Sequence, residues 1–501
     1  MSTPIQESSE QCGISRQKTR RFAGDVLTLT SATVISQVFG TLAAPLLARL
    51  FSPHAFGLAA LFLSTVGMLG TVVCLRYEVC IPLPEAEEQA ANSLALSLLC
   101  ALLVSLLALP FIVLGGQVFH WLHAAELAEY RWLLPVVLFL TGVNQAFAVW
   151  CTRIGNFRLL SLSQLLTSIC TMGLQICLGL MGYVSGGVLI LSNVVGITAS
   201  TLILLFGIEF SKLFKALSWS RIFAVAKRYS RFPKYGILTG FLNSTSWQLP
   251  ALFLARFFSA SVVGQYSLGN RLIRIPMNLI GINIAKVLFQ RAAVERNEGV
   301  LSELVERTFH YLLSLSMFPC LLLTFIGKDL FVLAFGGAWA EAGIYTQILS
   351  VWVCFWFVSS PLSVVLDVLE EQALEFRINI LIFVSRFVAL LAGGLARNPR
   401  MALALFSASG VLVYGYYSFI ILRVSGASVS RMSKELLLNL AIFAPAGLVL
   451  ALLKQLEAPS LVIVAMAFLL LCLYLANLIR IDPFVRELIT RSWGERLSSE
   501  A

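Results

Sequence analysis

Ser267, Arg271, Arg274 and Asn278 follow one another at spacings of four, three and four within an otherwise apolar run. In a helix those spacings share one face. An arginine at the centre of a membrane helix costs about 2.5–3.5 kcal/mol on insertion scales, so it is usually retained for a partner or a ligand. Two cations on one stripe repel each other and make a poor structural pair. They suit a dianion such as pyrophosphate, which a guanidinium binds through two parallel hydrogen bonds. The plainer alternative is that they bond backbone carbonyls of neighbouring helices or snorkel to an interface. Arg386, central in another apolar run and without a carboxylate in it, is a further functional candidate. Arg49 and Arg256 end their runs, where interface anchoring is the simpler role.

Other apolar runs carry polar stripes. One has Thr30, Thr33, Gln37 and Thr41, a second Gln164, Ser168, Thr171 and Gln175, and a third Thr239, Asn243 and Ser246. Together they predict a shared hydrated interior lined by Thr33, Gln37, Asn243, Ser267 and Asn278; singly, each is ordinary helix–helix hydrogen bonding. Ala60, Ser64, Gly67 and Thr71 form a small-residue stripe that suits a cavity wall or close packing. Pro45 and Pro250 are candidate flex points or plain kinks. Trp352 and Trp356 could stack on sugar rings or belong to the core.

Carboxylates are scarce in the apolar runs. Asp25, Glu78 and Asp367 lie at their ends, where each is either a group titrating during ion coupling or a solvated helix end. His120 and His123 have metal-like spacing but no Cys or Asp nearby, so no metal site is expected. The four aspartates stand at 25, 329, 367 and 482, which excludes a DxD motif, and the chain lacks Walker A, GxSxG and HExxH sequences. No catalytic residue and no cofactor are therefore expected, and translocation is favoured over chemistry on a substrate.

The elements that must position these residues are membrane helices. The chain of 501 residues is 58% hydrophobic and 12% charged, with mean hydropathy +0.86. A soluble domain carries about 25% charged residues, so lipid must serve as solvent for much of this surface. Helical spans are predicted at 26–48, 57–75, 93–115, 132–151, 160–182, 186–206, 236–257, 264–287, 309–327, 343–366, 378–396, 402–422, 437–453 and 459–479. With both termini in the cytoplasm, 26 Lys and Arg residues fall on the cytoplasmic side and 7 on the other. The net charge of +10 thus sits in short loops, as topology control and attraction to anionic bilayer lipids require, and no nucleic-acid partner is expected. The first run is long enough to be an uncleaved helix rather than a signal peptide. None of the ten cysteines lies in an exported loop, and all read as packing residues.

A basic loop at 207–235 holds seven Lys and Arg residues and separates the sixth and seventh spans. Around it the chain repeats. Leu47-Ala48-Arg49-Leu50-Phe51-Ser52 with Gly57 matches Leu254-Ala255-Arg256-Phe257-Phe258-Ser259 with Gly264 at a constant offset of 207. The expected organisation is a basic tail (1–25), a six-helix lobe (26–206), the connecting loop (207–235), a second six-helix lobe (236–422), two appended helices (437–479) and a cytoplasmic tail (480–501).

The segment from Leu47 to Pro53, then Arg76-Tyr77-Glu78 with Pro82-Leu83-Pro84, resembles the start of bacterial Wzx-type polysaccharide-unit flippases. These belong to the multidrug/oligosaccharidyl-lipid/polysaccharide exporter superfamily. Phe232-Pro233-Lys234-Tyr235, Gly264-Gln265-Tyr266 and the run Gly337 to Gly343 are similar to the same family; order and spacing carry the match over most of 24–430. The resemblance implies a two-lobed fold working by alternating access and driven by an ion gradient. Its cargo would be an undecaprenyl-pyrophosphate-linked oligosaccharide, crossing the bacterial inner membrane from the cytoplasmic to the periplasmic leaflet. Residues matching the family's cationic lining are Arg271 and Arg274, then Arg386, Arg49 and Arg76. Polysaccharide polymerase and chain-length proteins would be its partners. A membrane polymerase or ligase acting on the lipid-linked sugar, or a drug antiporter of the same superfamily, are the alternatives; the first lacks a large outer loop and the second is ill suited by a cationic lining.

Overall fold

The computed structural model describes residues 31–208, 213 and 215–481. The tail 1–25 with Asp25, the start of the first predicted span (26–30, with Thr30), five positions of the connecting loop and the terminus beyond 481 lie outside the described residues. All regular structure among the described residues is helical. In chain order the helices are α1 (Ser31–Leu50), α2 (Pro53–Gly70), α3 (Glu87–Leu107), α4 (Phe111–Trp121), α5 (Leu133–Arg153), α6 (Phe157–Leu180), α7 (Gly186–Leu205) and α8 (Trp219–Arg228). There follow α9 (Ile237–Phe257), α10 (Ala260–Ile273), α11 (Ile282–Glu298), α12 (Leu301–Phe335), α13 (Ala340–Leu362), α14 (Gln372–Leu395), α15 (Pro399–Val424), α16 (Val429–Gln455) and α17 (Ser460–Ile481).

Several helix starts are written locally. Ser52 caps α2 by accepting a hydrogen bond from the Ala55 amide, and Pro53 takes the first turn, where its missing N–H costs nothing. Asn398 and Pro399 do the same for α15, and Asn156 and Ser428 cap α6 and α16. The predicted span 93–115 is shifted: α3 covers Glu87–Leu107, and Pro110 separates it from the short α4.

Among the described residues twelve helices are long and apolar enough to cross a membrane, and the bent pair at 260–296 makes a thirteenth if it is one span. This is an all-α integral membrane protein. Of the fourteen expected spans, the one that does not qualify is α9. It has the length, at 21 residues, but Asn243, Ser244, Thr245, Ser246 and Gln248 dilute its apolar character.

The chain forms two compact units, 1–267 and 268–501, the division falling within α10. In the first, α2 packs against α5, α7 and α9. The repeated sequence meets its own copy here. A Cβ on Gly57 would lie 1.7 Å from the Ala260 carbonyl oxygen, and one on Gly264 would lie 1.8 Å from that of Pro53. Pro53 and Ala260, like Gly57 and Gly264, are 207 apart, so the contact is reciprocal. Amphipathic α8 seats Ile222 and Val225 against α3, where Arg221 pairs with Glu88 and Arg228 bonds Gln89 at 3.1 Å.

In the second unit α12 and α13 form the main hairpin, and α15 packs on α13 and α14. The last two helices attach to α12. Phe318 stacks on Tyr474 at 4.1 Å and meets Phe443 edge-on, while the Tyr474 hydroxyl donates to the Ser314 carbonyl at 2.6 Å. The other face of α17 exposes Leu461, Phe468, Leu469 and Leu473, as a lipid-facing helix requires.

Candidate functional site

The helix bearing the arginine stripe is broken. α10 stops at Ile273, Arg274 occupies the turn, and a π-helical turn, Met277–Gly281, leads into α11 with a bend of 40°. The single continuous face expected for Ser267, Arg271, Arg274 and Asn278 therefore does not form. Pro276 accounts for the break: it has no N–H to donate to the preceding turn, and its ring crowds that turn at Arg274. That proline was the signal in the sequence. The break leaves Arg271 and Arg274 at a helix terminus, with Arg271 exposed and Arg274 partly buried.

Within the second unit Arg274 and Arg386 are linked through two tryptophans. The Arg274 guanidinium lies 5.5 Å from the Trp356 ring centre. Trp356 is stacked on Trp352, 6.0 Å apart and 15° from parallel. Arg386 in turn lies 5.7 Å from Trp352 and from Phe406, and donates to the Tyr414 hydroxyl at 2.8 Å. Such contacts contribute about 0.5–2 kcal/mol each, more when desolvated. Both tryptophans are core residues, with Gly410 so close that a Cβ there would meet Trp352 at 2.0 Å. Arg386 is 2% exposed, so it acts from within the packing and holds the aromatic stack against which Arg274 rests. Tyr414→Phe keeps the ring but removes this acceptor. It is expected to lower stability by about 1.5–3 kcal/mol, the range for a hydrogen bond to a charged group, read as a lower melting midpoint in detergent.

The remaining candidates lie in the first unit. Thr33 donates to Gln164 at 3.1 Å, joining α1 to α6. Gln175 and Thr171 are buried against α7, with Gln175 bonding the Leu189 carbonyl, so much of the α6 stripe serves helix packing. Gln37 on α1 is half-buried and Asn243 on α9 is exposed. Arg49 is exposed at the end of α1, and Arg256 lies 4.9 Å from the Trp121 ring centre. The small stripe of α2 is a packing face in part: the Ser244 hydroxyl donates to the Gly67 carbonyl at 2.9 Å.

Of the carboxylates, Asp367 is exposed in the short helix Val364–Val368 that follows α13. Glu78 is different. It sits in a 3-10 turn, Tyr77–Cys80, between α2 and α3, 7% exposed, with one oxygen 3.5 Å from Arg76 Nη1. Burial pushes its carboxyl above the usual range, opposed by its own backbone amide and by Arg76. The nine described cysteines are unbridged. Among the described residues no group of three His, Cys, Asp or Glu side chains could hold a metal.

A family model described as "Polysaccharide biosynthesis protein" matches residues 46–343. Among solved structures, an inward closed lipid II flippase MurJ is similar over 91% of this chain and 99% of its own, at 12% identity and TM-score 0.66. An inward-facing multidrug resistance MATE family transporter of the MOP superfamily matches over 78% and 96%, at 14% identity and TM-score 0.59. An outward-facing structure of a MATE family transporter matches over 81% and 96%, at 14% identity and TM-score 0.50. No curated protein sequence matches. The fold is the one shared by these transporters.

Proposed function

The chain belongs to the polysaccharide biosynthesis protein family, and from that membership we propose that it is a flippase for lipid-linked oligosaccharides. Its cargo is an undecaprenyl-pyrophosphate-linked repeat unit of O-antigen, capsule or exopolysaccharide. It moves this cargo from the cytoplasmic to the periplasmic leaflet of a bacterial inner membrane by alternating access, driven by an ion gradient. Both termini are cytoplasmic, as the excess of basic residues supports. A polysaccharide polymerase and chain-length proteins are its expected neighbours.

The observation that carries this reading is the pair Arg271 and Arg274 at a broken helix, in a chain otherwise poor in membrane charge. A pyrophosphate accepts paired hydrogen bonds from guanidinium groups, and a broken membrane helix offers backbone groups of the kind that line binding sites in other transporters. Arg49, Arg76 and Arg386 are secondary: Arg76 already faces Glu78 and Arg386 already bonds Tyr414. The family match favours sugar cargo over a drug, and a polymerase or ligase would need catalytic groups that the sequence motifs do not supply.

The test is reconstitution. Purified protein in vesicles should move a labelled undecaprenyl-diphosphate oligosaccharide between leaflets faster than protein-free vesicles, and should leave it chemically unchanged. Formation of new glycosidic bonds, or export of a cationic dye without movement of the lipid, would refute the assignment.

A further inference from the structure

The segment between α2 and α3 has features that packing does not explain. Leu75 and Arg76 are consecutive non-glycine residues in the left-handed region, at φ 51° and 65°. Few side chains tolerate that conformation, and strain of this kind persists where surrounding contacts enforce it. The turn delivers Arg76 against α9. A Cβ on Gly236 would lie 3.4 Å from Arg76 Cγ, and one on Gly240 would lie 3.8 Å from its Cδ and Nε, so the arginine stem runs alongside these two positions within van der Waals reach. Gly236 ends a π-helical turn, Phe232–Gly236, at the start of α9. Such turns are insertions that often mark functional positions.

Glu78 is the countercharge that holds Arg76 there. Yet it is only half satisfied: its Oε2 is buried and accepts no hydrogen bond from any described residue. A carboxylate oxygen in that state is costly when ionised and much less so when neutral. The other ionisable groups around this segment cannot replace Arg76. On the segment itself stand Cys74, Tyr77, Cys80 and the exposed Glu85, and α3 contributes Cys100. Burial beside Glu78 raises the Cys74 thiol and pushes that of Cys80 up to about 12, so these stay neutral. From α5, Arg153 is engaged with the carbonyl oxygens of Ile81 and Glu85. Tyr229, after α8, packs into the same cluster, Arg228 is turned to Gln89, and Lys234 in the π turn is exposed.

We propose that Glu78 is a proton-binding site whose neutralisation releases Arg76 and so frees the segment between α2 and α3 from the start of α9. With Glu78 ionised, the Arg76–Glu78 pair sustains the left-handed turn and pins Arg76 along Gly236 and Gly240. With Glu78 protonated, Arg76 is a cation without its partner beside a glycine-lined backbone. It moves toward water, and the strained turn relaxes. Two arrangements of one contact, selected by a proton, are what coupling to a proton gradient requires of a transporter. Only this use rests on the transport reading above; the proton-dependent contact stands without it.

Hydrogen exchange of the purified full-length protein, corrected for the intrinsic pH dependence of exchange, reads the latch directly. Protection of residues 71–86 and 232–240 should fall as pH is lowered in the wild type and be low at every pH in Glu78→Gln. Infrared spectra should show a protonated carboxyl band that persists above the ordinary carboxylate range and is absent from Glu78→Gln. Should that variant not fold, Arg76→Gln serves instead: loss of the cation must move the band's midpoint to higher pH. Equal, pH-independent protection in wild type and Glu78→Gln, or an unmoved band in Arg76→Gln, overturns the proposal. In vesicles an imposed proton gradient should accelerate flipping of the labelled lipid by the wild type and not by Glu78→Gln. Equal acceleration in both would overturn the coupling role. A wild type that flips no lipid-linked oligosaccharide would instead sink the transport reading and leave the exchange and infrared results standing.

Discussion

Replacing Arg271 and Arg274 together by alanine is expected to abolish polymer export while protein remains in the membrane at its normal level. A hydrogen bond to a charged group is worth about 1.5–3 kcal/mol, so each arginine supplies roughly ten- to a hundredfold in affinity for a pyrophosphate. The double variant should therefore lose flipping by at least about a hundredfold in vesicles, even allowing for non-additivity between neighbours. Lysine at either position should recover only part, since it keeps the charge and loses the planar fork. The cost to the folded state should be small: Arg271 is exposed, and Arg274 loses a contact with the Trp356 ring of the kind that contributes about 0.5–2 kcal/mol. Arg386→Met should behave in the opposite way. It removes a buried cation from among Trp352, Phe406 and Tyr414, so its first effect is on stability and its effect on transport is secondary. Normal export from the double variant would end the pyrophosphate assignment.

The second large effect is structural. Gly57→Val should prevent accumulation of folded protein, and Gly264→Val should do the same. The atoms that a new side chain would meet are backbone, the carbonyl oxygens of Ala260 and Pro53 at 1.7 and 1.8 Å, and backbone cannot rotate away. Relief requires α2 and the start of α10 to separate, opening the seam on both sides. Ordinary overpacking costs about 1–3 kcal/mol, and a backbone clash of this depth belongs with the exceptional cases above about 4 kcal/mol. Gly173→Val is the control, because nothing lies within 4 Å of a Cβ there. Membrane-fraction yield and melting midpoints of the three variants decide the matter, and wild-type behaviour from Gly57→Val would show that the crossing is not needed.

Much of the architecture was legible before any coordinates. Apolar runs of about 20 residues locate membrane helices, because a bilayer imposes a length and a composition that few other environments do. The caps Ser52 and Asn398 start α2 and α15 a turn ahead of the predicted 57 and 402, a local effect between residues only three apart. The reading failed where a local rule was outweighed. Spacing alone put Arg271, Arg274 and Asn278 on one helical face, but Pro276 interrupts that helix, and a proline effect overrides periodicity. The helix expected at 236–257 forms as α9, and the polar stripe already visible in that run lowers its apolar character below that of its neighbours.

The candidate site divides along the same line. Composition identified the unusual residues, because an arginine in hydrocarbon is conspicuous wherever it points. It could not say that Arg386 lies beneath Trp352 and bonds Tyr414, nor that Glu78 is buried with one oxygen unpartnered while Asp367 is exposed. Glu78 and Asp367 both stood as carboxylates at the ends of apolar runs, and Arg386 as a cation within one, since sequence neighbours do not reveal which faces of distant helices meet.

Sequence alone thus determined that this is a helical membrane protein, roughly where its helices run and which few cations lie within them. These are one-dimensional properties, set by the cost of placing each residue in lipid. Tertiary structure decided which cations are open to solvent and which are locked in aromatic packing, and that Arg271 and Arg274 stand at a broken helix. It also decided that Gly57 and Gly264, 207 positions apart, press against each other. Those outcomes depend on the close packing of faces remote in the chain, which no local preference encodes.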